Sequence, residues 1–265
     1  KIIKKWQPVA VIHFASSSLV HESFLNPNKY FYNNVINTIN LLDVIVNCGI
    51  DKFIFSSSCA VYGDPTSKLI SENETKTPLS PYGESKLMIE KILNWHTNIH
   101  KMRSVSLRYF NAAGADHDGE IGEAHNPETH LIPLVINAAL KLQDTIKVFG
   151  NNYKTTDGTP IRDYVHVSDI AKAHINALEY LLQGGGSVEL NLGTGIGYSV
   201  LEIIRAVENI SGKKIAITME EKRDGDAPIL VADSSKAAEV LHWTPKCSEI
   251  NEIIETAYNW QKSLT

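Results

Sequence analysis

Cysteine is scarce in this sequence of 265 residues: Cys48, Cys59 and Cys247 are the only three, odd in number and far apart. No disulfide framework and no cysteine-based metal site can be built from that spacing. A reducing compartment fits, which favours the cytoplasm. Cys48 and Cys59 flank an apolar run and are expected to be buried as small hydrophobes. Positive charge is not in excess. Lys and Arg number 25 against 30 Asp and Glu, a formal charge of −5, which gives no support for a general nucleic-acid surface. No apolar run reaches the length of a membrane span, and no signal-peptide pattern opens the chain. The histidines His13, His21, His130 and His166 form no recognisable ligand spacing, so no metal is expected. Internal repeats and low-complexity tracts are also lacking.

What is present is an ordinary globular composition, 43% apolar and 21% charged, long enough for a substantial core and at most two domains. The opening, KIIKKWQPVAVIHFA, runs from a short charged piece straight into a strand. It reads as a chain cut partway through a fold. Strands are expected at 9–14, 53–55 and 104–109, with helices at 26–48 and 81–96 between them. Their apolar positions fall at helical intervals, as in Ile36, Ile39, Leu42 and Val46. This alternation predicts an α/β fold with a Rossmann-like parallel sheet covered on both faces. Such sheets bind ligands beyond the carboxyl ends of their strands, here His13 to Ser18, Ser56 to Ser58 and Asn111.

Beyond Asn111 the pattern loosens. A loop is expected over 112–128, a helix over 131–142 and a strand over 146–149. A helix capped by Ser168 or Asp169 reaches Leu182, a strand spans 188–190, and Ser199 opens a helix to Asn209. A strand at 215–219 and helices at 234–241 and 249–260 complete the chain. The best partition assigns 1–110 with 161–195 to a partial nucleotide-binding domain. A smaller mixed α/β substrate portion takes 111–160 with 196–265.

Tyr82 and Lys86 carry the strongest chemical signal. Four residues apart near a helix start, they share one helix face. A free phenol titrates near ~10, and a nearby ammonium favours its ionised form. Lys86 can therefore prepare Tyr82 as a general base, although a chance surface pair would show the same spacing. Ser58, at a strand end, can hold a reacting oxygen or merely satisfy a turn. No Gly-x-Ser-x-Gly elbow surrounds it, which disfavours a serine hydrolase. Arg162 and Arg223 are candidate phosphate clamps, because a guanidinium offers a rigid fork of donors. Their alternative is pairing with the adjacent Asp163 and Asp224. The segment NLGTGIGYS could pass for a phosphate loop, but its spacing reads better as a tight strand-to-helix turn.

The chain resembles the UDP-glucose 4-epimerase (UDP-galactose 4-epimerase) family of extended short-chain dehydrogenases/reductases. The resemblance runs from about Val9 to the end. It rests on HFA at 13–15, YFYNNV at 30–35, FSSSCAVYG at 55–63, SPYGESK at 80–86 and LRYFNAAGA at 107–115. ETHLIP at 128–133, DGTPIRDYVHVSDIA at 157–171, NLGTG at 191–195 and KRDGDAP at 222–228 complete it. The Tyr-x-x-x-Lys element marks only the superfamily, whereas ETHLIP and the DGT stretch are more specific.

The resemblance implies NAD as cofactor and UDP-glucose and UDP-galactose as substrates. Catalysis would fall to Tyr82, Lys86 and Ser58. The dinucleotide would be lined by Phe14, Ala15, Ser16, Ser17, Ser18, Asn33, Ser58, Tyr82, Lys86 and Phe110. The UDP-sugar would meet Ser58, Tyr82, Asn111, His130, Lys147, Val148, Phe149, Arg162, Arg223 and Asp226. A homodimer through the helices at about 29–48 and 81–96 is also implied. Three departures stand out. The family's opening Gly-x-x-Gly-x-x-Gly turn and following acidic residue are not found, so two βα units, roughly 65 residues, are expected to be missing ahead of Lys1. The isolated 265 residues are therefore expected to bind NAD poorly and turn over little. His21 stands where the family usually has Gly, and Leu230, beside the sugar, favours a plain hexose. The alternatives are an epimerase of UDP-N-acetylhexosamine or UDP-pentose, a nucleotide-sugar dehydratase, and a non-catalytic remnant that binds UDP. A dehydratase needs an acidic pair after its serine, where Cys59 and Ala60 stand here.

Overall fold

Strand β2, Lys52–Ser58, shows how the sequence builds the sheet. Successive side chains point to opposite faces. Phe53 and Phe55 bury against the helices of one face, and Ile54 buries against the other. Full burial of each such side chain contributes about 1.5–3 kcal/mol. The computed structural model describes residues 1–223 and 225–265, so Asp224 and the pairing considered for it lie outside the described residues.

In chain order the strands are β1 (Val11–His13), β2, β3 (Arg103–Tyr109), β4 (Asn111–Ala113) and β5 (Ile146–Phe149). They continue with β6 (Ile161–His166), β7 (Val188–Leu192), β8 (Gly197–Ser199), β9 (Ile217–Glu220) and β10 (Ile229–Leu230). The main sheet has the order β1-β2-β3-β7, all parallel. A second sheet has the order β10-β6-β4, also parallel, with β8 antiparallel on β6. β5 and β9 form a parallel pair.

The helices are α1 (Ile2–Trp6), α2 (Val20–Leu25), α3 (Pro27–Tyr30), α4 (Asn37–Asn47), α5 (Pro81–His100) and α6 (Leu131–Ala139). α7 (Val167–Leu182), α8 (Val200–Ser211), α9 (Ser235–Leu241) and α10 (Ile250–Ser263) follow. The long helix expected from Pro27 is continuous but passes through a π-helical turn at Phe31–Ile36. Such turns are frequent at functional sites. This one directs the buried Asn34 toward the loop after β1.

Apolar positions of the π-helical turn, α4 and α5 cover one face of the main sheet, and α7 and α9 cover the other. A separate core joins α6, α8 and α10 with β5, Ala113 and Tyr164. The two cores meet along β6, where Tyr164 packs into one and Val165 into the other. Trp243, after α9, packs into the core of the main sheet.

Several local expectations need correction. Ser56 to Ser58 belong to β2 itself, and Ser56 and Ser57 are buried. Neither Ser168 nor Asp169 caps α7. His166 does so, its Nδ1 accepting from the Ser168 amide at 3.1 Å. Asp169 is buried and accepts from the amides of Lys246 and Cys247 and from the Ser248 hydroxyl. It thereby ties α7 to the segment before α10. Cys59 is buried as expected, but Cys48 is only half-buried. α1 and α2 have no counterpart in the expected elements. Among the described residues, no helix is long and apolar enough to cross a membrane.

Candidate active site

The carboxyl ends of β1, β2 and β3 open into a cavity of about 1110 Å³, floored by Ser56, Ser58, Tyr82, Lys86 and Phe110. Pockets for one drug-sized ligand occupy roughly 300–1,000 Å³, so this cavity has room for two. Tyr82 enters from the first turn of α5. Ser80 caps that helix, its hydroxyl accepting from the Gly83 amide at 3.1 Å, and Pro81 occupies the position where a missing N–H costs nothing. Gly83 is required by contact. A Cβ there would lie 2.5 Å from the carbonyl oxygen of Ala60, so only glycine lets α5 approach the turn after β2 so closely.

That turn, Cys59–Val61, is capped by Ser58, whose hydroxyl oxygen accepts from the Ala60 amide at 3.2 Å. The two roles weighed for Ser58 are therefore compatible. Its oxygen satisfies the turn while its proton remains available toward Tyr82. The edge of Tyr30 packs on the Tyr82 ring with centroids 6.4 Å apart.

Lys86 lies one helical turn on, buried, with Nζ donating to the Ser56 carbonyl at 2.8 Å and 5.6 Å from the centre of the Tyr82 ring. Burial governs both groups. It pushes the Tyr82 phenol up to about 12, with the Ser58 hydroxyl drawing it back and Cys59 adding to the rise. Burial also pushes Lys86 down to about 7, against the upward pull of Glu90. The expectation that Lys86 lowers the Tyr82 phenol is thus not met by the chain alone. Desolvation dominates the Tyr82 phenol, and Lys86 is not among the groups that shift it.

The loop after β1 supplies Phe14, Ser16 and Ser18 to the cavity wall. Phe14 packs on the His174 ring with centroids 4.6 Å apart. Ala15, Ser17 and Asn33 do not line the cavity. Ser17 is a tether instead: its amide donates to Asn34 Oδ1 at 2.8 Å, and its carbonyl and the Ser85 hydroxyl both accept from Asn34 Nδ2 at 3.0 Å. Asn33 donates to the Ser17 hydroxyl at 3.2 Å. Asn34, missed in the sequence, is therefore the side chain that joins this loop to α5.

Asn111, His130, Lys147, Val148, Phe149, Arg162, Arg223, Asp226 and Leu230 also line the cavity. Arg162 lies on strand β6, not in a polar loop. The period of two in a strand sends Asp163 to the opposite face, so the two do not pair. Arg162 instead meets Asp226 at 3.4 Å. Asp163 is fully buried and receives the amides of Thr194, Gly195 and Ala232. This explains NLGTG as a structural turn: Gly195 has φ +76°, and a Cβ on Gly193 would strike Ala232 at 2.3 Å. The Arg223 guanidinium stacks 3.7 Å over the Phe149 ring. The Glu123 carboxylate beside His130 pushes that imidazole's pKa up.

A buried network beneath the floor was also missed. Arg108 on β3 forks onto Glu90 of α5 through contacts of 2.9 and 2.7 Å and donates to Tyr62 at 2.8 Å. The Ser57 hydroxyl donates to the same Glu90 at 2.6 Å. Glu90 and Arg108 were not singled out in the sequence, because a separation of 18 residues between charged side chains carries no local signal.

A family model described as GDP-mannose 4,6 dehydratase matches residues 1–257. The UDP-glucose 4-epimerase of Rhizobium leguminosarum bv. trifolii is 47% identical over 260 residues, covering 98% of this chain and 79% of that protein. The UDP-glucose 4-epimerase of Streptococcus mutans is 47% identical over 254 residues, covering 96% and 76%. The solved structure of UDP-glucose 4-epimerase from Brucella ovis in complex with NAD superposes with a TM-score of 0.94 at 47% identity, covering 97% of this chain and 79% of that one. The enzyme from Bifidobacterium longum, in complex with NAD+ and UDP, gives a TM-score of 0.94 at 38% identity, covering 99% and 78%. With this fold, this cavity and relatives alike over nearly its whole length, the chain belongs to the UDP-glucose 4-epimerase family of extended short-chain dehydrogenases/reductases.

Proposed function

We propose that the chain interconverts UDP-glucose and UDP-galactose by transient NAD-dependent oxidation at C4 of the sugar. One observation carries this reading. The Tyr82 phenol and Ser58 hydroxyl face a single large cavity over the buried Lys86, and Arg162 and Arg223 line the same cavity. An acid–base pair and two cations in one cavity match a sugar joined to a diphosphate.

The residues present fit the cofactor. The Ser16 hydroxyl, buried beside the cavity, has no hydrogen-bond partner among the described residues and can serve a polar ligand. Phe14, Ser16, Ser18 and Phe110 would line it, with Lys86 below, and Ala15, Ser17 and Asn33 would support their loop. Bound NAD supplies a hydride acceptor and donor at C4 and a positive ring that favours the Tyr82 phenolate.

Ser58 holds the 4-oxygen while Tyr82 takes its proton, and Tyr82 later returns a proton to that oxygen. Arg162 and Arg223 keep the diphosphate in place while the oxidised sugar turns about its link and presents its other face. Asn111, His130, Asp226 and residues 147–149 complete the wall around the nucleotide and sugar. In this reading the portion formed by 1–110 with 161–195 holds the dinucleotide, and the UDP-sugar meets Ser58, Tyr82 and Arg162 of that portion together with residues of 111–160 and 196–265. A cytoplasmic homodimer accompanies it, supported by exposed Ile36, Ile39 and Val44 on one long helix and Trp95 and Ile99 on the other.

The test is incubation with NAD and UDP-galactose, with UDP-N-acetylgalactosamine and UDP-arabinose alongside. UDP-glucose is expected to form, slowly and with weak retention of NAD, with the plain hexose preferred because Leu230 fills the wall beside the sugar. Tyr82→Phe is expected to lower kcat by about 10²–10⁴-fold. Absence of UDP-glucose, or an unchanged rate in the variant, overturns the reading.

A further inference from the structure

Residues 123–130 bring four metal-ligating side chains together around one carboxylate. Glu123 Oε1 lies 2.5 Å from His130 Nδ1 and 2.8 Å from His125 Nδ1. That oxygen is shielded from solvent and is shared between the two imidazoles. The two imidazoles stand nearly perpendicular, at 83°, with centroids 5.0 Å apart. Glu128 Oε1 is 3.8 Å from His125 Nδ1 and is held by the amides of Thr129 and His130 at 2.7 and 2.8 Å. One ligand atom from each of the four residues lies within 4.8 Å of every other.

Two imidazole nitrogens and two carboxylate oxygens suit a borderline cation such as Zn²⁺. Metal–ligand distances of about 2.0–2.2 Å place the ligands of a tetrahedral site roughly 3.4 Å apart, which small side-chain movements of this set can reach. The backbone is anchored at both ends. Trp260 Nε1 donates to the Glu123 carbonyl at 2.8 Å, and α6 begins immediately after His130. The Trp260 ring also packs on Gly122, where a Cβ would lie 2.3 Å from it.

The geometry points to a divalent transition-metal site formed by Glu123, His125, Glu128 and His130, which braces this wall of the cavity. The ligands were not recognised in the sequence because His130 was compared with distant histidines. The informative pattern is local, Glu-x-His-x-x-Glu-x-His. A second group, His117, Cys247 and Glu252, provides a contrast: its His117 and Glu252 form a hydrogen bond of 2.8 Å and need no ion.

The test uses the untagged full chain, stripped with a chelator and dialysed against Zn²⁺, with bound metal measured by elemental analysis and unfolding followed with and without Zn²⁺. One equivalent is expected in the wild type and in His117→Ala, with a higher unfolding temperature when it is bound. His125→Ala is expected to weaken binding at least about tenfold and to lose the thermal shift. Should that variant misfold by circular dichroism, the near-isosteric Glu128→Gln carries the same expectation. Equal binding by the wild type and the folded ligand variant, or loss of the ion in His117→Ala, overturns the proposal.

Discussion

Lys86 Nζ donates to the carbonyl oxygen of Ser56 across 2.8 Å, so the helix that carries Tyr82 is bonded directly to the end of β2. This bond fixes the lysine in a buried place where its charge is disfavoured, with a pKa pushed down to about 7. Between that value and the ordinary lysine value near 10.5, the unfolded chain binds more protons than the folded one. Stability from this group is therefore gained as pH rises through the window and lost as pH falls through about 7. Without added cofactor, wild type is expected to gain stability relative to Lys86→Met between pH 7 and pH 9.5. Urea unfolding of both proteins at the two pH values checks it. An unchanged difference contradicts the assignment.

Gly83 sets the spacing between Tyr82 and Ser58. Gly83→Ala places a methyl group 2.5 Å from the Ala60 carbonyl and must push α5 away from the turn. The expected cost is about 1–3 kcal/mol of stability. kcat should also fall, because small misplacement of reacting groups is expensive. Denaturation midpoints and steady-state kinetics measure the two effects separately.

Glu90→Gln leaves Arg108 buried without its counter-charge. Breaking one side of such a pair destabilises by about 3–5 kcal/mol. Equilibrium denaturation of the variant tests this, and a change below 1 kcal/mol contradicts a structural role for the network.

Arg223→Met is expected to raise KM for the UDP-sugar with kcat little altered, since the contact is made before and during reaction alike. Loss of one charged hydrogen bond of about 1.5–3 kcal/mol corresponds to roughly 10–100-fold. A fall in kcat with unchanged KM would place Arg223 in the chemical step.

Legibility in the sequence followed the range of each interaction. The parallel strands, the long helices and the Tyr82–Lys86 pair depend on spacings of two to four residues, and the structure has them. The NLGTG turn was also legible from its glycines, but its anchor Asp163 entered only as the alternative partner of Arg162, because pairing by proximity ignores the alternation of a strand. The serines of β2 were placed after the strand by their polarity, although Ser57 is buried on Glu90. Asn34 depends on a π-helical turn that local patterns do not encode, whereas the two Glu and two His of 123–130 form a local pattern that the folded loop brings onto one carboxylate.

Return of the same hydrogen to C4 is the central claim, and a solvent-isotope experiment addresses it most directly. NAD-loaded protein is incubated with UDP-galactose in D₂O, and the UDP-glucose formed is examined by mass spectrometry and proton NMR. The account predicts product with protium at C4, because only the hydroxyl proton handled by Tyr82 exchanges with solvent. Deuterium at C4 of the UDP-glucose formed contradicts it.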